Sequence, residues 1–475
     1  MDVTERLPVT SNNGSVRPVE AEAGAPGRRL GRAEVLVAVL AFAAMCVAVL
    51  TRTVQLLEPD DYAYRASIIA LTQGHWLSLT NAEYQTLLTQ LSSGGGQGIA
   101  QWVHTAGGTW ISEKNPGYPF LAVPFQALGL LRVTPLFYGA LGCLGLFVGA
   151  RRWLGRWGGT WAVVLFCSSG AAMAFAWRAT MPTFTDASLI AAGALLWTVL
   201  ATERTTRRRI AVGLLAFVAL EAAVLVRYTN VVPLGVAVLA VLLLCRRAAL
   251  PLRAVSWWLA SVAALIAGVL GFDQLAYGNP VKTGYTSGLV TFSLASVLPK
   301  VQHLPARLVT SMPMVVLALG ALGWLGGRAA GPRRRGTAPE VQTRYRRDAV
   351  IGAFLAAGWI GIWGLYAPYD WTVRMGSGPG SDIHLIRFHL PALGLISLLG
   401  AWLLAQLPRW LPEVLLVVVI GLGARSYPQL VTGALAGPGA RPGGAPGIGG
   451  PGGPPPGFGG PGGAPVPGSS GGSGR

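Results

Sequence analysis

The sequence predicts an all-α membrane protein with about ten or eleven transmembrane helices. Hydrophobic residues make up 52% of the 475 residues and charged residues only 12%, about half the charged share of a soluble domain. The apolar residues recur in runs of roughly 20, which is the length that a helix needs to cross a bilayer. Because lipid cannot hydrogen-bond to an open backbone, we expect these runs to be helical.

The net charge of +18 indicates membrane topology rather than a nucleic-acid partner. Arginines concentrate in short loops between apolar runs, which is the positive-inside pattern of cytoplasmic loops. The three lysines, Lys114, Lys282 and Lys300, all fall on the other side under this assignment. We therefore exclude nucleic acid as a partner and expect contact with the lipid of the cell (plasma) membrane.

The first residues predict the orientation of the chain. Residues 1–32 are polar and are expected to form a disordered cytoplasmic leader, because Arg28 and Arg29 precede the first apolar run. Span 1, at about 33–57, then leads outwards. A long first extracytoplasmic loop with juxtamembrane helices is predicted over 58–116.

Residues 117–131 are apolar but are not expected to cross the membrane. The run is short and contains Pro119 and Pro124. If it did cross, the basic residues Arg151 and Arg152 beyond the next run would lie outside the cell. We therefore predict a juxtamembrane or re-entrant segment.

The remaining apolar runs are assigned as spans whose direction follows the charge of the loops. Spans 2 to 10 are predicted at about 133–150, 159–177, 184–201, 210–227, 229–245, 254–272, 309–327, 349–367 and 389–407. A last run, about 411–424, is either an eleventh span or the edge of a hairpin. The transmembrane domain is thus expected over 33–430, and the Gly/Pro-rich tail over 437–475 is expected to be disordered.

The four cysteines are predicted to be small core residues. Cys46, Cys143, Cys167 and Cys245 each lie within or at the end of an apolar run. No pair has the spacing of a metal site, and we do not expect disulfides.

An acidic pair and a lysine stand out on the predicted outer side. Asp60 and Asp61 follow span 1 directly, and paired carboxylates suit general-base work or metal binding. An N-cap for the following helix is the alternative for this pair. Lys114 precedes a Pro-Gly turn and can meet an anionic head group, or it can be an interface lysine that snorkels.

Further ionisable residues lie at the outer ends of predicted spans. Asp186 follows Arg178 and begins a span, where a carboxylate either serves function or complements the helix dipole. The other candidates are Arg227, Tyr228, Lys282, Arg387 and His389. Arginine can hold a phosphate through two parallel hydrogen bonds, although each of these residues alone can be an interface anchor. Together they indicate a site for a lipid phosphate and an acceptor hydroxyl.

The order of these motifs resembles the GT-C superfamily of membrane glycosyltransferases, in particular the protein O-mannosyltransferase and aminoarabinose-transferase-like branch of the family 39/83 type. Asp60-Asp-x-x-Tyr64 is similar to the Asp-Glu-x-x-Tyr motif of that branch, and Lys114-Asn-Pro-Gly-Tyr118 to its Lys-Pro-Pro-x-Tyr motif. Thr185-Asp186 is similar to its Thr-Asp before a span, and Arg387-Phe-His-Leu-Pro391 to its Arg-Tyr-x-Leu-Pro motif. The sequence departs from the branch at Asp61 and Asn115.

The resemblance implies a GT-C-like bundle that transfers a sugar from a polyprenyl-phosphate donor, with inversion, on the extracytoplasmic face. The acceptor would be a hydroxyl of a lipid, a glycan or a protein. The resemblance makes Asp60 the general base, with Asp61 and Asp186 positioning the acceptor or supporting the base. It makes Lys114, Arg227 and Arg387 the ligands of the donor phosphate, and it adds as substrate-binding candidates Tyr64, Tyr118, Arg178, Tyr228, Lys282 and His389.

The sequence leaves open whether the protein needs a metal ion and whether it is an enzyme, a transporter or a scaffold, and it gives only a compositional indication of the source. Some GT-C enzymes use a divalent cation, whereas the sequence contains no His/Cys ligand set. The preference for Arg over Lys and the Gly/Pro-rich tail indicate an actinobacterial source. A secondary transporter or lipid flippase would also explain charges within the membrane, but the inverted repeats it predicts are not visible. A non-catalytic scaffold is the third alternative.

Overall fold

The computed structural model describes most of the chain between residues 31 and 436. The described residues are 31–53, 59–76, 78–91, 99, 101–105, 107–200, 207–246, 249–282, 291–330, 339–370, 379–408 and 410–436. The predicted tail over 437–475 and all but the last two residues of the predicted leader lie outside the described residues.

Helices form most of the described structure, and a small sheet lies between the second and fourth helix. The helices are α1 (Arg32–Leu50), α2 (Pro59–Thr72), α3 (Asn81–Leu91), α4 (Gly117–Ala127), α5 (Thr134–Leu154), α6 (Gly158–Cys167), α7 (Gly170–Trp177), α8 (Thr183–Ala192), α9 (Leu196–Leu200), α10 (Arg207–Val226), α11 (Val231–Leu244), α12 (Leu252–Tyr277), α13 (Val297–Ser311), α14 (Met314–Ala330), α15 (Pro339–Tyr366), α16 (Pro379–Ile386), α17 (Leu393–Leu404) and α18 (Trp410–Ala436). The strands are β1 (Ser78–Leu79), β2 (Trp102–His104) and β3 (Trp110–Ser112).

The lengths and composition of the helices confirm a polytopic membrane protein. Seven helical segments of the described chain are long and apolar enough to cross a bilayer, and two further bent pairs of helices each pass the same test together. Two shorter apolar helices, Tyr228–Leu244 and Leu390–Leu404, complete the set. Seven to nine segments thus pass the length test, and the predicted ten or eleven spans are reached only when the two shorter helices are counted as well.

Helices α1 and α5 run antiparallel, and charged contacts mark both ends of the pair. At one end, the buried Glu34 of α1 pairs with Arg151 of α5 and with Arg156. At the other end, Arg132 before α5 donates a 3.3 Å hydrogen bond to the carbonyl of Val49 near the end of α1. The start of α1 and the loop after α5, both predicted to be cytoplasmic, therefore lie at the end of this helix pair opposite to the start of α2.

Close packing of α5 on α8 brings the candidate Asp186 into the centre of the bundle. Gly142, Gly145 and Gly149 form one stripe along α5, and a Cβ at Gly145 would lie 2.5 Å from the Cα of Ala192. Only a residue without a side chain permits this approach. The result is that Asp186 is fully buried, in a helix whose position is fixed by backbone contact.

Two predicted spans are bent in the structure, which the sequence did not predict. Span 3 consists of α6 and α7 at an angle of 60°, and Ser169 caps the second of them by accepting a hydrogen bond from the Ala172 amide at 3.2 Å. Span 8 was predicted to start near residue 309, but α13 and α14 meet there at 106°. The break precedes Pro313, because a proline disfavours helical backbone in the residue before it.

Three other segments can be compared with the prediction. The helix of span 1 ends at Leu50, earlier than predicted. The segment 117–131 contains α4, whose 11 residues span only about 16 Å and cannot cross a bilayer. The run at 411–424 is part of the 27-residue α18, so it is a full-length helix and not a hairpin edge.

The first outer loop folds as a small unit of its own between α2 and α4. Its strands form an antiparallel sheet in the order β1-β3-β2. Thr80 and Glu83 form a capping box at the start of α3, with the Thr80 amide 2.7 Å from Glu83 Oε2. The Tyr84 ring stacks on Trp110 at 4.0 Å, which ties α3 to β3. The sheet thereby holds the chain in place just before Glu113 and Lys114.

We expect Gly117→Ala to lower the stability of the protein by about 1–3 kcal/mol, because the added methyl group overpacks a backbone contact. A Cβ at Gly117 would lie 2.3 Å from the carbonyl carbon of Leu225 in α10, so α4 would have to shift. The measurement is the thermal unfolding of the purified protein. Gly364→Ala is the matched control, because nothing lies within 4 Å of a Cβ at that helical glycine. Equal unfolding temperatures for the two variants would contradict the prediction.

Candidate active site

A carboxylate and two cations from distant parts of the chain meet at one end of the bundle. Asp60 lies in the first turn of α2, Lys114 follows β3, and Arg387 follows α16. Lys114 Nζ is 3.0 Å from Asp60 Oδ1, and Arg387 Nη1 is 2.9 Å from Asp60 Oδ2. Each carboxylate oxygen of Asp60 therefore has one cation as its partner. We call Asp60, Lys114 and Arg387 the central triad.

The central triad is shielded from water but not sealed. The side chain of Asp60 is 15% exposed, that of Lys114 is 4% exposed and that of Arg387 is 8% exposed. Burial alone would raise the pKa of Asp60, but the charges of Lys114 and Arg387 outweigh it and hold that pKa well below its usual range. We therefore expect Asp60 to be ionised in this arrangement, as one anion between two cations.

Asp61 points to the other side of α2 and is fully buried. It pairs with Arg178, which is 1% exposed, and it accepts a hydrogen bond of 2.7 Å from Thr180 Oγ1. Both partners lie in the connection between α7 and α8. Asp61 thus anchors α2 to the bundle, and its carboxylate has no exposed surface with which to meet a substrate.

Tyr64 and Tyr118 belong to the same buried layer. Their rings pack edge to face with centroids 5.8 Å apart. The Tyr118 hydroxyl donates to the carbonyl of Ala179, which adds a second tie from α4 to the connection between α7 and α8. The two tyrosines of the sequence motifs therefore hold α2 and α4 together.

Asp186 lies behind the central triad and is linked to it through Arg227. Arg227 Nε is 3.4 Å from Asp186 Oδ2, and Arg227 Nη1 donates a 3.3 Å hydrogen bond to the carbonyl of Arg387. The Asn230 side chain also donates to the Asp186 carboxylate. Arg227 thereby connects a buried acid to the backbone of a triad residue, and Asn230 is a contributor that the sequence patterns did not single out.

The three remaining candidates are placed differently. The Tyr228 hydroxyl is 3.3 Å from Asp273 Oδ1 in α12. Lys282 is exposed, and among the described residues it makes no ion pair with the cluster. His389 is 1% exposed; its Nδ1 is 3.0 Å from the Leu385 carbonyl, and its ring packs against Trp363.

Glu113 is a second acid beside the triad that received no role from the sequence. It precedes Lys114, is 6% exposed, and forms no hydrogen bond or ion pair through its carboxylate with the described part of the chain. Burial raises the pKa of Glu113, and the charge of Asp60 adds to that rise while Lys114 opposes it. Lys114 also lines a small pocket together with Trp76, Trp102 and Phe272.

The donor set does not fit a resident divalent cation. Both oxygens of Asp60 are bound by cationic side chains, and the Asp61 carboxylate is bound by Arg178. No group of three or more His, Cys, Asp or Glu side chains within the described ranges is arranged to hold a metal ion.

The solved structures that match this chain include the following two. ArnT from Cupriavidus metallidurans, bound to undecaprenyl phosphate, is matched with a TM-score of 0.45 and 17% identity, over 82% of this chain and 63% of that one. The archaeal oligosaccharyltransferase AglB from Archaeoglobus fulgidus, in complex with an inhibitory peptide and a dolichol-phosphate, is matched with a TM-score of 0.38 and 11% identity, over 85% of this chain and 56% of that one. The chain thus spans about three fifths of the length of these proteins.

No family model and no curated protein sequence matches the chain. At these identities and TM-scores the structural likeness assigns neither a family nor an activity.

Proposed function

We propose that this protein is a membrane glycosyltransferase that transfers a sugar from a polyprenyl-phosphate donor to an acceptor hydroxyl, with inversion at the anomeric carbon. The contact of Asp60 with Lys114 and Arg387 is the main support for this proposal. Such a reaction needs a base for the acceptor proton and positive charge for the departing phosphate. Asp60 can supply the first and Lys114 with Arg387 the second, and the three are in direct contact.

The proposed reaction follows from the positions of these groups. The acceptor oxygen forms a bond to the anomeric carbon while the bond from that carbon to the phosphate oxygen breaks. Asp60 takes the acceptor proton, and the phosphate leaves with the electron pair of the broken bond. Lys114 and Arg387 stabilise the charge that develops on the leaving phosphate.

Exposure distinguishes the three candidate acids. Asp60 is 15% exposed, whereas the side chains of Asp61 and Asp186 are buried completely. A base must reach the proton that it abstracts, which favours Asp60. We assign Asp61 and Asp186 as positioning residues that act through Arg178 and Arg227.

The site is proposed to face the extracytoplasmic side of the plasma membrane, with the N-terminus in the cytoplasm. Arg152, Arg209 and Arg347 come from three different helices and lie close enough together for their charges to interact. They belong to the basic loops that the positive-inside rule assigns to the cytoplasm. The central triad lies beyond the opposite end of α1.

The test is release of polyprenyl phosphate by the full chain in lipid nanodiscs that contain polyprenyl-phosphate sugars. We expect wild-type protein to release it in the presence of an acceptor, and Asp60→Asn to lower the rate by about 10²-fold or more, because asparagine cannot accept the proton. Glu413→Gln, an exposed acid at the start of α18, is the control and should retain the wild-type rate. Equal rates for wild type and Asp60→Asn would refute Asp60 as the base.

A transporter or lipid flippase is the second candidate. Its support is the two bent helix pairs, α6 with α7 and α13 with α14, because broken helices are typical of transporter folds. Transfer of a fluorescent polyprenyl phosphate between the leaflets of vesicles, without any sugar transfer from any donor, would favour this alternative.

A further inference from the structure

We propose that the donor phosphate and the Asp60 carboxylate share the same two cations, so that donor binding converts Asp60 from a counter-ion into a base. The inference rests on the proposed function and adds an order of events to it: the donor binds first, and only then can Asp60 accept a proton. The ligand is a phosphate ester, and it displaces the Asp60 carboxylate from Lys114 and Arg387.

Geometry provides the first argument. Lys114 and Arg387 each contact a different oxygen of Asp60, at 3.0 and 2.9 Å, so the carboxylate occupies the space between the two cations. Both cations are less than one-tenth exposed, so little of their surface remains for a second anion while Asp60 is bound. The Arg387 guanidinium also stacks over the ring of Phe388, at 4.7 Å from the ring centroid, which restricts its movement away from this place.

The charge balance provides the second argument. In the neighbouring ion pairs, Arg178 with Asp61 and Arg227 with Asp186, each cation has an acidic partner of its own. Without donor, the central triad has two positive charges against one negative charge. A sugar phosphodiester contributes the missing negative charge, so the loaded site is neutral.

Transfer of the sugar keeps this balance. The phosphate gains a second negative charge when the sugar leaves, and Asp60 loses its own negative charge when it takes the acceptor proton. The site therefore stays neutral from substrates to products, which matters because a net charge is costly away from water. A base elsewhere in the site would leave the released phosphate and Asp60 with more negative charge than Lys114 and Arg387 provide.

The exchange also explains how an acid with two cationic partners can act as a base. In the donor-free site, the charges of Lys114 and Arg387 keep Asp60 ionised and hold its pKa low, which makes it a poor proton acceptor. Once Lys114 and Arg387 pair with the phosphate, they stabilise the ionised form of Asp60 less, so the pKa of Asp60 rises. Glu113 is the remaining titratable group beside the triad, and burial favours its neutral form.

The decisive experiment measures binding of polyprenyl phosphate, without sugar, to the full chain in nanodiscs. We expect Asp60→Asn to bind it about tenfold more tightly than wild type, because a competing anion has been removed. Lys114→Gln should bind it more weakly than wild type. Inorganic phosphate is added as a competitor. If it displaces polyprenyl phosphate, the protein recognises the phosphate group and not the lipid tail.

Binding of polyprenyl phosphate to Asp60→Asn that is equal to or weaker than wild type would overturn the exchange. Because sugar transfer is measured separately, the two ideas can fail independently: transfer by wild type without tighter binding by Asp60→Asn refutes only the exchange. Tighter binding without transfer from any donor refutes the proposed function and leaves the exchange standing. If Asp60→Asn does not fold, Asp60→Ser removes the same charge and serves as the second variant.

The pH dependence of the wild-type rate is an additional test of the exchange. At saturating donor, the rate should fall at acid pH as Asp60 becomes protonated in the donor complex. At limiting donor, the same fall should move to lower pH, because the donor-free enzyme holds the pKa of Asp60 down. A fall in rate at the same acid pH at saturating and at limiting donor would contradict the exchange.

Discussion

Sugar transfer is expected to fall by about 10²–10³-fold when Lys114 or Arg387 is replaced by glutamine, since each change removes a cation placed to stabilise the leaving phosphate. Both cations contact Asp60 and both are nearly buried, so water or salt cannot substitute for them. The measurement is the rate of polyprenyl phosphate release under saturating acceptor. The folded state of each variant is checked by thermal unfolding.

Two further variants make this test specific. Lys114→Arg keeps the positive charge and should recover part of the lost rate, which a change in fold alone would not predict. Arg253→Gln removes an exposed cation at the start of α12 and should leave the rate unchanged. A wild-type rate in Lys114→Gln and in Arg387→Gln would remove the central triad from the reaction.

The largest effect on stability is expected at Asp61. Asp61→Ala should lower the free energy of unfolding by about 3–5 kcal/mol, because it leaves the guanidinium of Arg178 buried without its anion. Arg178 is 1% exposed, so the side chain cannot turn to water without opening the connection between α7 and α8. Thr180 loses its hydrogen-bond acceptor in the same substitution. The measurement is chemical or thermal unfolding of the protein in nanodiscs.

A double variant separates the charge from the packing. Asp61→Ala combined with Arg178→Met removes both charges and should recover much of the lost stability, since an apolar pair of similar volume can replace a buried ion pair. Glu413→Gln is the exposed control and should change stability little. An Asp61→Ala variant that unfolds at the wild-type temperature would show that Asp61 is not an anchor of α2.

The patterns that the sequence predicts well are those governed by local rules. Length and hydropathy fix the helical spans because a bilayer core has one thickness. Prolines and run length set the short segment at 117–131 apart, and it forms the 11-residue α4. The bends at Ser169 and Pro313 were missed, because an apolar run has the same composition whether its helix is straight or broken.

The candidate residues make different tertiary contacts, and the periodicity of the sequence does not predict which residue makes which contact. Asp60 and Asp61 are adjacent in sequence, yet they face opposite sides of α2 and meet different partners. Asn230 and Glu113 have no distinctive spacing, so only their positions beside Asp186 and Lys114 draw attention to them.

The sequence by itself determined that this chain is a multi-pass helical membrane protein, and it predicts the basic loops on one side and the unusual polar residues on the other. Local hydrophobic length and loop charge suffice for that, because the bilayer imposes them segment by segment. Only the tertiary structure decided which acid has an exposed surface and which cations share it. Asp60 and Arg387 are 327 positions apart, and a contact over that separation depends on how the helices pack, which no local pattern records.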